Sequence, residues 1–376
     1  MRIAILTQPL HTNYGGILQA YALQTLLEKN GHRVVVVDRE YNFKLPVSLF
    51  LLRLASFVKC AIRYYLLGHK DVVLMNPLSP FYRIKENGYK MQRFVKKHIY
   101  QSKPIYSSRN LKTFFKRNKF DCYVVGSDQV WRPCYSPCIT DFFLKEVPTG
   151  NKALKIAYAA SFGTDRWEFT EEETKECALL AKEFDVVSVR EESGIALCRD
   201  YLGIDAEHLL DPTMLLSKED YINLFEQANV SQSKGNLFCY VLDENVEADL
   251  IIRSLKRDGY VPNYASICSR QYQLSVEEWL RGIYDAEFVV TDSFHACVFS
   301  ILFEKPFVVV GNKSRGNARF ESLLKMFVLS DRMVESYNHF LQRKGSLLDN
   351  ERIILAQNIM KYNRNKSLAF ISNKIQ

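Results

Sequence analysis

The sequence predicts an α/β protein made of two doubly wound, Rossmann-like domains with a cleft between them. Three observations carry this expectation. Short apolar, β-branched runs alternate with helical stretches along most of the 376 residues, the pattern of parallel sheets covered by helices on both faces. Each run breaks into a polar or glycine-containing loop at its C-terminal end, where a parallel strand presents its ligand-binding edge. The length, with 47% hydrophobic and 24% charged residues, suits two soluble domains, each able to bury its own core.

Ile3 to Leu6 reads as the first strand. The loop from His11 to Gly16 then leads into a helical period through Ile17, Leu18, Tyr21, Ala22, Leu26 and Leu27. That period stops at Asn30-Gly31, where glycine can take the left-handed C-terminal conformation. His32 to Asp38 follows as a buried strand and completes a βαβ unit. Beyond a basic region, Tyr123 to Val125 runs into Gly126-Ser127-Asp128-Gln129, Ile156 to Ala160 into Ser161-Phe162-Gly163, and Val186 to Val189 into Arg190-Glu191. His208 to Leu210 ends in Asp211-Pro212-Thr213, and Pro212 makes this a natural exit from the domain.

A second domain opens with a strand in Asn236 to Leu242, followed by a helix near Val246 to Arg257, a strand around Tyr260 to Ile267 and a helix from Ser275 to Asp285. The next strand ends at Thr291, and Asp292-Ser293-Phe294-His295 places His295 in the first turn of a helix at that strand's edge. Lys305-Pro306 then introduces a strand from Phe307 to Val310 and the loop Gly311 to Gly316. The expected domains are 1–214, carrying a basic amphipathic insertion at about 45–119, then 215–345, then a helical tail 346–376 that packs back.

The net charge of +8 is unevenly placed: residues 53–119 hold sixteen Lys and Arg against Asp71 and Glu86, a local +14. Val47 to Leu67 is about one membrane span long but contains Arg53, Lys59 and Arg63, which fall within an arc of about 120° on a helical wheel. Such a helix fits a membrane interface rather than a span; a core-packed helix with snorkelling cations is the alternative. An anionic membrane surface is therefore an expected partner of residues 47–119. No nucleic-acid-binding module is recognisable. Nine scattered cysteines and no signal-peptide pattern point to a reducing, cytoplasmic location. Cys134 and Cys138 lack a second pair at zinc-site spacing, so they read as free thiols.

Seven motifs together resemble the polysaccharide pyruvyl transferase family: Asn13-Tyr14-Gly15-Gly16 with Leu18 to Gln24, Val125 to Trp131, Tyr158 to Gly163, Ser188 to Glu191, Asp211-Pro212-Thr213, Asp292 to His295, and Arg319-Phe320-Glu321. They occur in family order from Asn13 to about Leu324. The resemblance implies a two-domain GT-B-like fold and a phosphoenolpyruvate donor, with no other cofactor. It further implies that pyruvate is placed as a ketal on a sugar of a surface or capsular polysaccharide, or of its lipid-linked precursor. Two positions depart from the pattern: Ala296, where glycine often follows the histidine, and Arg132, where asparagine often follows the tryptophan.

A donor carrying phosphate and carboxylate needs cationic or N–H-rich clamps. Arg190 and the helix start at Ser293 are the first candidates, with Lys313 and Arg315 as a second clamp or as solvated loop cations. His295 suits proton delivery to the donor's methylene carbon. Asp128 could take a proton from a sugar hydroxyl or could stabilise a turn. Asn13, Tyr14, Gly15, Gly16, Ser127, Gln129 and Ser161 are candidate acceptor or loop contacts. No carboxylate cluster calls for a metal. A nucleotide-sugar glycosyltransferase and a non-catalytic, membrane-peripheral glycan-binding protein are the competing readings.

Overall fold

The computed structural model describes residues 1–42, 47–68, 82–148, 150, 152–266, 273–311 and 317–375. In the first domain β1 (Arg2–Leu6), α1 (Tyr14–Lys29) and β2 (Arg33–Val37) form the expected βαβ unit. Asn13 caps α1 by accepting the Gly15 N–H, and Gly31, at φ 85°, turns the chain toward β2. The insertion contributes α2 (Val47–Tyr65), α3 (Tyr82–His98) and α4 (Ser108–Arg117). Then come β3 (Cys122–Val125), β4 (Leu154–Ala160), α5 (Glu171–Ala181), β5 (Val186–Val189), α6 (Ser193–Leu197) and β6 (Glu207–His208). The six strands form one parallel sheet in the order β2-β1-β3-β4-β5-β6. The order reverses beside β1, so the loops after β1 and β3 open a crevice at the sheet's C-terminal edge.

The second domain begins with α7 (Lys218–Gln227), whose start is closed by a Ser217/Asp220 capping box. It continues with β7 (Leu237–Tyr240), α8 (Val246–Arg257), β8 (Pro262–Ala265), α9 (Val276–Asp285), β9 (Phe288–Thr291), α10 (Phe294–Leu302), β10 (Phe307–Val310), α11 (Ala318–Met326), β11 (Met333–Val334) and α12 (Tyr337–Leu348). Its parallel sheet runs β11-β10-β9-β7-β8. The two-residue edge strand β11 carries no readable alternation, so the sequence does not announce it. The strand expected over Tyr260 to Ile267 contracts to four residues; its last expected residue lies outside the described ones.

The long α13 (Glu351–Ser372) returns across both domains. Gln357 donates to the Ile301 carbonyl of the second domain at 2.7 Å, while Arg364 donates to Met214 at 2.7 Å and the Ser367 hydroxyl accepts the Leu210 N–H at 3.2 Å. Near the cleft, Tyr14 stacks on Trp279 with ring centroids 5.2 Å apart. Its hydroxyl donates to the Leu274 carbonyl at 2.7 Å and accepts the Leu274 N–H at 3.1 Å. On the other side of the cleft the Glu192 N–H donates to Ser322 at 2.8 Å. One buried apolar cluster accordingly runs through both domains, from Ile3 to Ile375. Removing only the bridging hydroxyl, in Tyr14→Phe, leaves the Leu274 peptide short of two partners. It is expected to lower stability by about 1–2 kcal/mol, read by urea denaturation.

Candidate active site

A cavity of about 370 Å³ lies between the domains. The first domain lines it with residues from the loops after β1 and β3, among them His11, Asn13, Asp128 and Gln129. Facing them are Tyr240, Asp292, Ser293, His295 and Arg319 of the second domain.

The start of α10 is locked from below. The Thr291 hydroxyl donates to the Tyr240 carbonyl at 2.6 Å and accepts the Ser293 N–H at 3.0 Å, while Asp292 accepts the Leu242 N–H at 2.7 Å. Ser293 caps the helix by accepting the Ala296 N–H. The N–H groups of Phe294 and His295, in the first turn, are left without an intrahelical acceptor and carry the positive end of the helix dipole.

His295 is buried between the domains. Its Nε2 lies 3.5 Å from Asp211 Oδ2, close enough for charge coupling but without an aligned hydrogen bond. The opposite side of the ring rests on Gly15, where a Cβ would sit 1.8 Å from His295 Nδ1. Glycine at this position is thus a requirement of space as well as of turn geometry. Gly16 stands beside Asp128, whose Oδ2 would lie 3.2 Å from an added Cβ.

Asp211 is fixed on every side. Its Oδ1 accepts the Thr213 N–H at 3.0 Å and hydroxyl at 2.7 Å, and its Oδ2 accepts Arg190 at 2.9 Å and the Ser127 hydroxyl at 3.2 Å. Burial by itself would raise the Asp211 carboxyl, but His295, Arg190 and the Thr213 N–H together hold it well below the ordinary carboxylate range. Asp128 adopts a left-handed backbone at φ 68°. One of its oxygens lies 3.4 Å from Arg190 and the other 3.4 Å from the Asn13 amide. Such a conformation suits Asp better than most residues.

The structure corrects several expected roles. Arg190 does not line the cavity: its guanidinium is buried behind it, shared among Asp211, Asp128 and, at 4.0 Å, Glu191, and covers the Phe294 ring at 4.5 Å. Burial opposes its charge, and these carboxylates restore it. It organises the carboxylates rather than standing free for an anion. Tyr14 is an interdomain brace, Ser127 holds Asp211, and Ser161 bonds Glu191 at 2.6 Å, and none of the three lines the cavity. Asn13, Gln129, Asp128, Ser293 and His295 do line the cavity. Lys313 and Arg315 lie outside the described residues. Arg132 is paired with Glu168 at 2.8 Å and packs over Tyr135, placing it one layer behind the cavity wall. Cys134 and Cys138 are free thiols.

Two site residues stand in the family motifs, but the sequence assigned them no role. Arg319 enters the cavity from α11, and its Nε has no partner among the described residues. Burial and the nearby Arg190 charge lower it to about 10, so it stays cationic at neutral pH. Asp211 was legible as a domain exit and as part of a family motif but not as a site group, although Asp-Pro-Thr at a strand's C-terminal edge is also where a functional carboxylate belongs. Together these groups supply an imidazole backed by a carboxylate, a second carboxylate across the cleft, and a cation beside open helix N–H groups.

Fold and cleft define a two-domain, GT-B-like α/β protein with its candidate site at the domain junction. The chain belongs to the polysaccharide pyruvyl transferase family, whose sequence model matches residues 13–314. No curated protein matches the sequence. Among solved structures, S. aureus MnaA with UDP is similar at 11% identity, with 100% of this chain and 97% of that one covered and a TM-score of 0.51. UDP-GlcNAc 2-epimerase from Methanocaldococcus jannaschii matches at 12% identity, 94% of each chain and 0.50. The N-terminal domain of Candida albicans trehalose-6-phosphate phosphatase matches at 12% identity, 100% and 96% coverage, and 0.50. These likenesses speak to the fold alone.

Two outcomes follow from the geometry. Gly15→Ala must displace the His295 ring and is expected to lower turnover about 100-fold while circular dichroism stays native. For Asp211, the folded pKa lies below the unfolded one, so its stabilisation is present above about pH 4 and is lost as pH falls toward the folded value. Asp211→Asn should therefore cost about 3 kcal/mol at pH 7, and denaturation at graded pH should show the gap from wild type narrowing below about pH 4.

Proposed function

We propose that the cleft transfers the pyruvyl group of phosphoenolpyruvate to two hydroxyls of a glycan sugar. The observation that carries this is the convergence of Arg319, the open start of α10 and the Asp211-backed His295 on one cavity, with Asp128 on its opposite wall. Family membership supports the pyruvyl transfer; the donor assignment rests on the fit of these groups to a phosphate and a carboxylate. Arg319 and the Phe294 and His295 N–H groups take the anionic donor.

Protonated His295 delivers a proton to the methylene carbon, which becomes the methyl group. The electron-poor carbon so formed is attacked by the first hydroxyl, whose proton passes to Asp128. The bond to the phosphate oxygen then breaks, and the second hydroxyl closes the ketal. In balance, one hydroxyl proton replaces the one His295 gave, and the other leaves with phosphate. Asp211 Oδ2 stands 3.5 Å from the imidazole Nε2, behind the face turned to the donor.

Thermal unfolding with phosphoenolpyruvate, inorganic phosphate and UDP tests the donor. At about 100 times Kd the donor should raise the midpoint by roughly 3–4 °C, and Arg319→Ala should abolish that rise. His295→Ala should keep the rise but lose turnover by about 100-fold or more. A rise with UDP alone would replace this reading with nucleotide-sugar glycosyl transfer, a possibility kept open by structural neighbours solved with UDP. Retained function in His295→Ala would favour the non-catalytic glycan-binding reading.

The acceptor's place is proposed to be the inner face of the cytoplasmic membrane. Support comes from α2, where Leu51, Val58 and Ile62 on one stripe are 58%, 49% and 45% exposed, with Lys59 and Arg63 exposed alongside. Among the described residues no helix is long and apolar enough to cross a membrane. An exposed apolar stripe with a basic flank suits an anionic bilayer surface. Co-sedimentation with phosphatidylglycerol-containing vesicles, absent with pure phosphatidylcholine and lost in Val58→Asp/Ile62→Asp, is the expected result.

A further inference from the structure

A second concavity, larger than the catalytic one, lies between the insertion and the second domain, with a volume of about 980 Å³. Helix α3 contributes Lys90, Arg93, Lys96 and Lys97, the loop after α7 contributes Lys234, and α9 contributes Arg281. Facing these six cations among the described lining residues are only Glu277 and Glu278. Lys90 is paired with Glu278 at 3.0 Å and Arg281 with Asp285 at 2.8 Å. Arg93, Lys96, Lys97 and Lys234 make no ion pair among the described residues and are exposed. Like charges gathered from three elements into one hollow repel one another unless an anion sits between them.

Tyr14 links the groove to the catalytic cavity. Tyr14 follows the cavity-lining Asn13, and its hydroxyl bonds both backbone groups of Leu274, which lines the groove together with Ser275. The groove therefore lies one residue contact away from the cavity, within reach of a chain whose reacting sugar occupies it.

We propose that this groove is a binding site for an acidic glycan segment, the charged part of the acceptor remote from the reacting sugar. The inference rests on the reading of the cleft as a glycan-modifying site. Ser231, Ser233 and Asn263 line the same hollow and suit sugar hydroxyls. The described lining contains no aromatic ring, whereas single-stranded nucleic acid sites rely on aromatic stacking. Nor is it apolar like the exposed stripe of α2, so a bilayer fits it less well than a polyanionic strand.

The test measures binding of labelled hexagalacturonate, neutral maltohexaose and a single-stranded DNA 12-mer by fluorescence anisotropy, without donor and at several salt concentrations. Hexagalacturonate is expected to bind with a salt-dependent affinity, and maltohexaose not to bind. Arg93→Ser/Lys97→Ser/Lys234→Ser should weaken binding at least tenfold. Lys112→Ser/Lys116→Ser/Arg117→Ser removes the same charge from the exposed face of α4 and should change it less than twofold. Equal losses in the two triple variants, or tighter groove-dependent binding of DNA than of hexagalacturonate, would overturn the proposal. His295→Ala should bind as wild type does, which separates the two readings. Loss of groove binding with an intact donor-induced thermal rise sinks the groove alone, and the reverse sinks the proposed reaction alone.

Discussion

The contact of the His295 ring with the backbone of Gly15 sets how closely the two domains meet, and the candidate site depends on that distance. A side chain at residue 15 would occupy the space of the imidazole, so the second residue of α1 must be bare backbone. Tyr14, one residue earlier, turns the other way and locks onto Trp279 and Leu274. Adjacent residues thus do opposite work: one ties the domains together and the other leaves room for the group held between them. The same turn carries Asn13, which both caps the helix and reaches Asp128.

Behind this contact is a buried charge cluster that would be unfavourable if any member stood alone. Arg190 is surrounded by Asp211, Asp128 and Glu191, all buried. Desolvating such groups costs several kcal/mol per ion, and it is tolerated where each charge is paired and hydrogen-bonded. Asp211 meets that condition through Thr213, Ser127 and Arg190. Asp128, held by two contacts of 3.4 Å, is the least constrained of the cluster and the one at the cavity wall. Tight pairing at the rear and loose pairing at the front leave one carboxylate available to a ligand.

How much of this was legible varies with the kind of signal. Strand-to-loop breaks are written in local composition, so the two sheets and the loops bearing Asp128 and His295 could be placed from sequence. Side-chain direction is not written there. Ser127 and Asp128 are neighbours in one loop, yet one faces the buried Asp211 and the other the cavity. Arg190 reads as an anion clamp because arginine matches phosphate and carboxylate in a fork and this one ends a strand at the cleft; Asp211, Asp128 and Glu191 decide otherwise, and no local pattern encodes the meeting of the first two with it. Arg319 was given no role for the complementary reason. Its motif marks a helix start, and only the tertiary fold brings it to the cavity and leaves its Nε without a partner among the described residues. For α2, periodicity gave the amphipathic helix, but only the packing separated the half-buried face of Phe57, Cys60, Ala61 and Tyr64 from the exposed stripe of Leu51, Leu54, Val58 and Ile62.

The partner of His295 comes from the opposite domain. Asp211 follows the last strand of the first sheet, whereas His295 begins a helix of the second, so the imidazole–carboxylate pair exists only when the domains are apposed. Apposition is maintained at several points away from the chemistry: Tyr14 with Leu274, Glu192 with Ser322, and α13, which bonds both domains. A loosened contact at any of them lengthens a gap already at 3.5 Å. Coulomb coupling falls with separation and with the water that enters as a gap widens. The placement of the imidazole is consequently a property of the whole domain interface, and changes at its remote edges are expected to act on the proposed proton transfer as well as on stability.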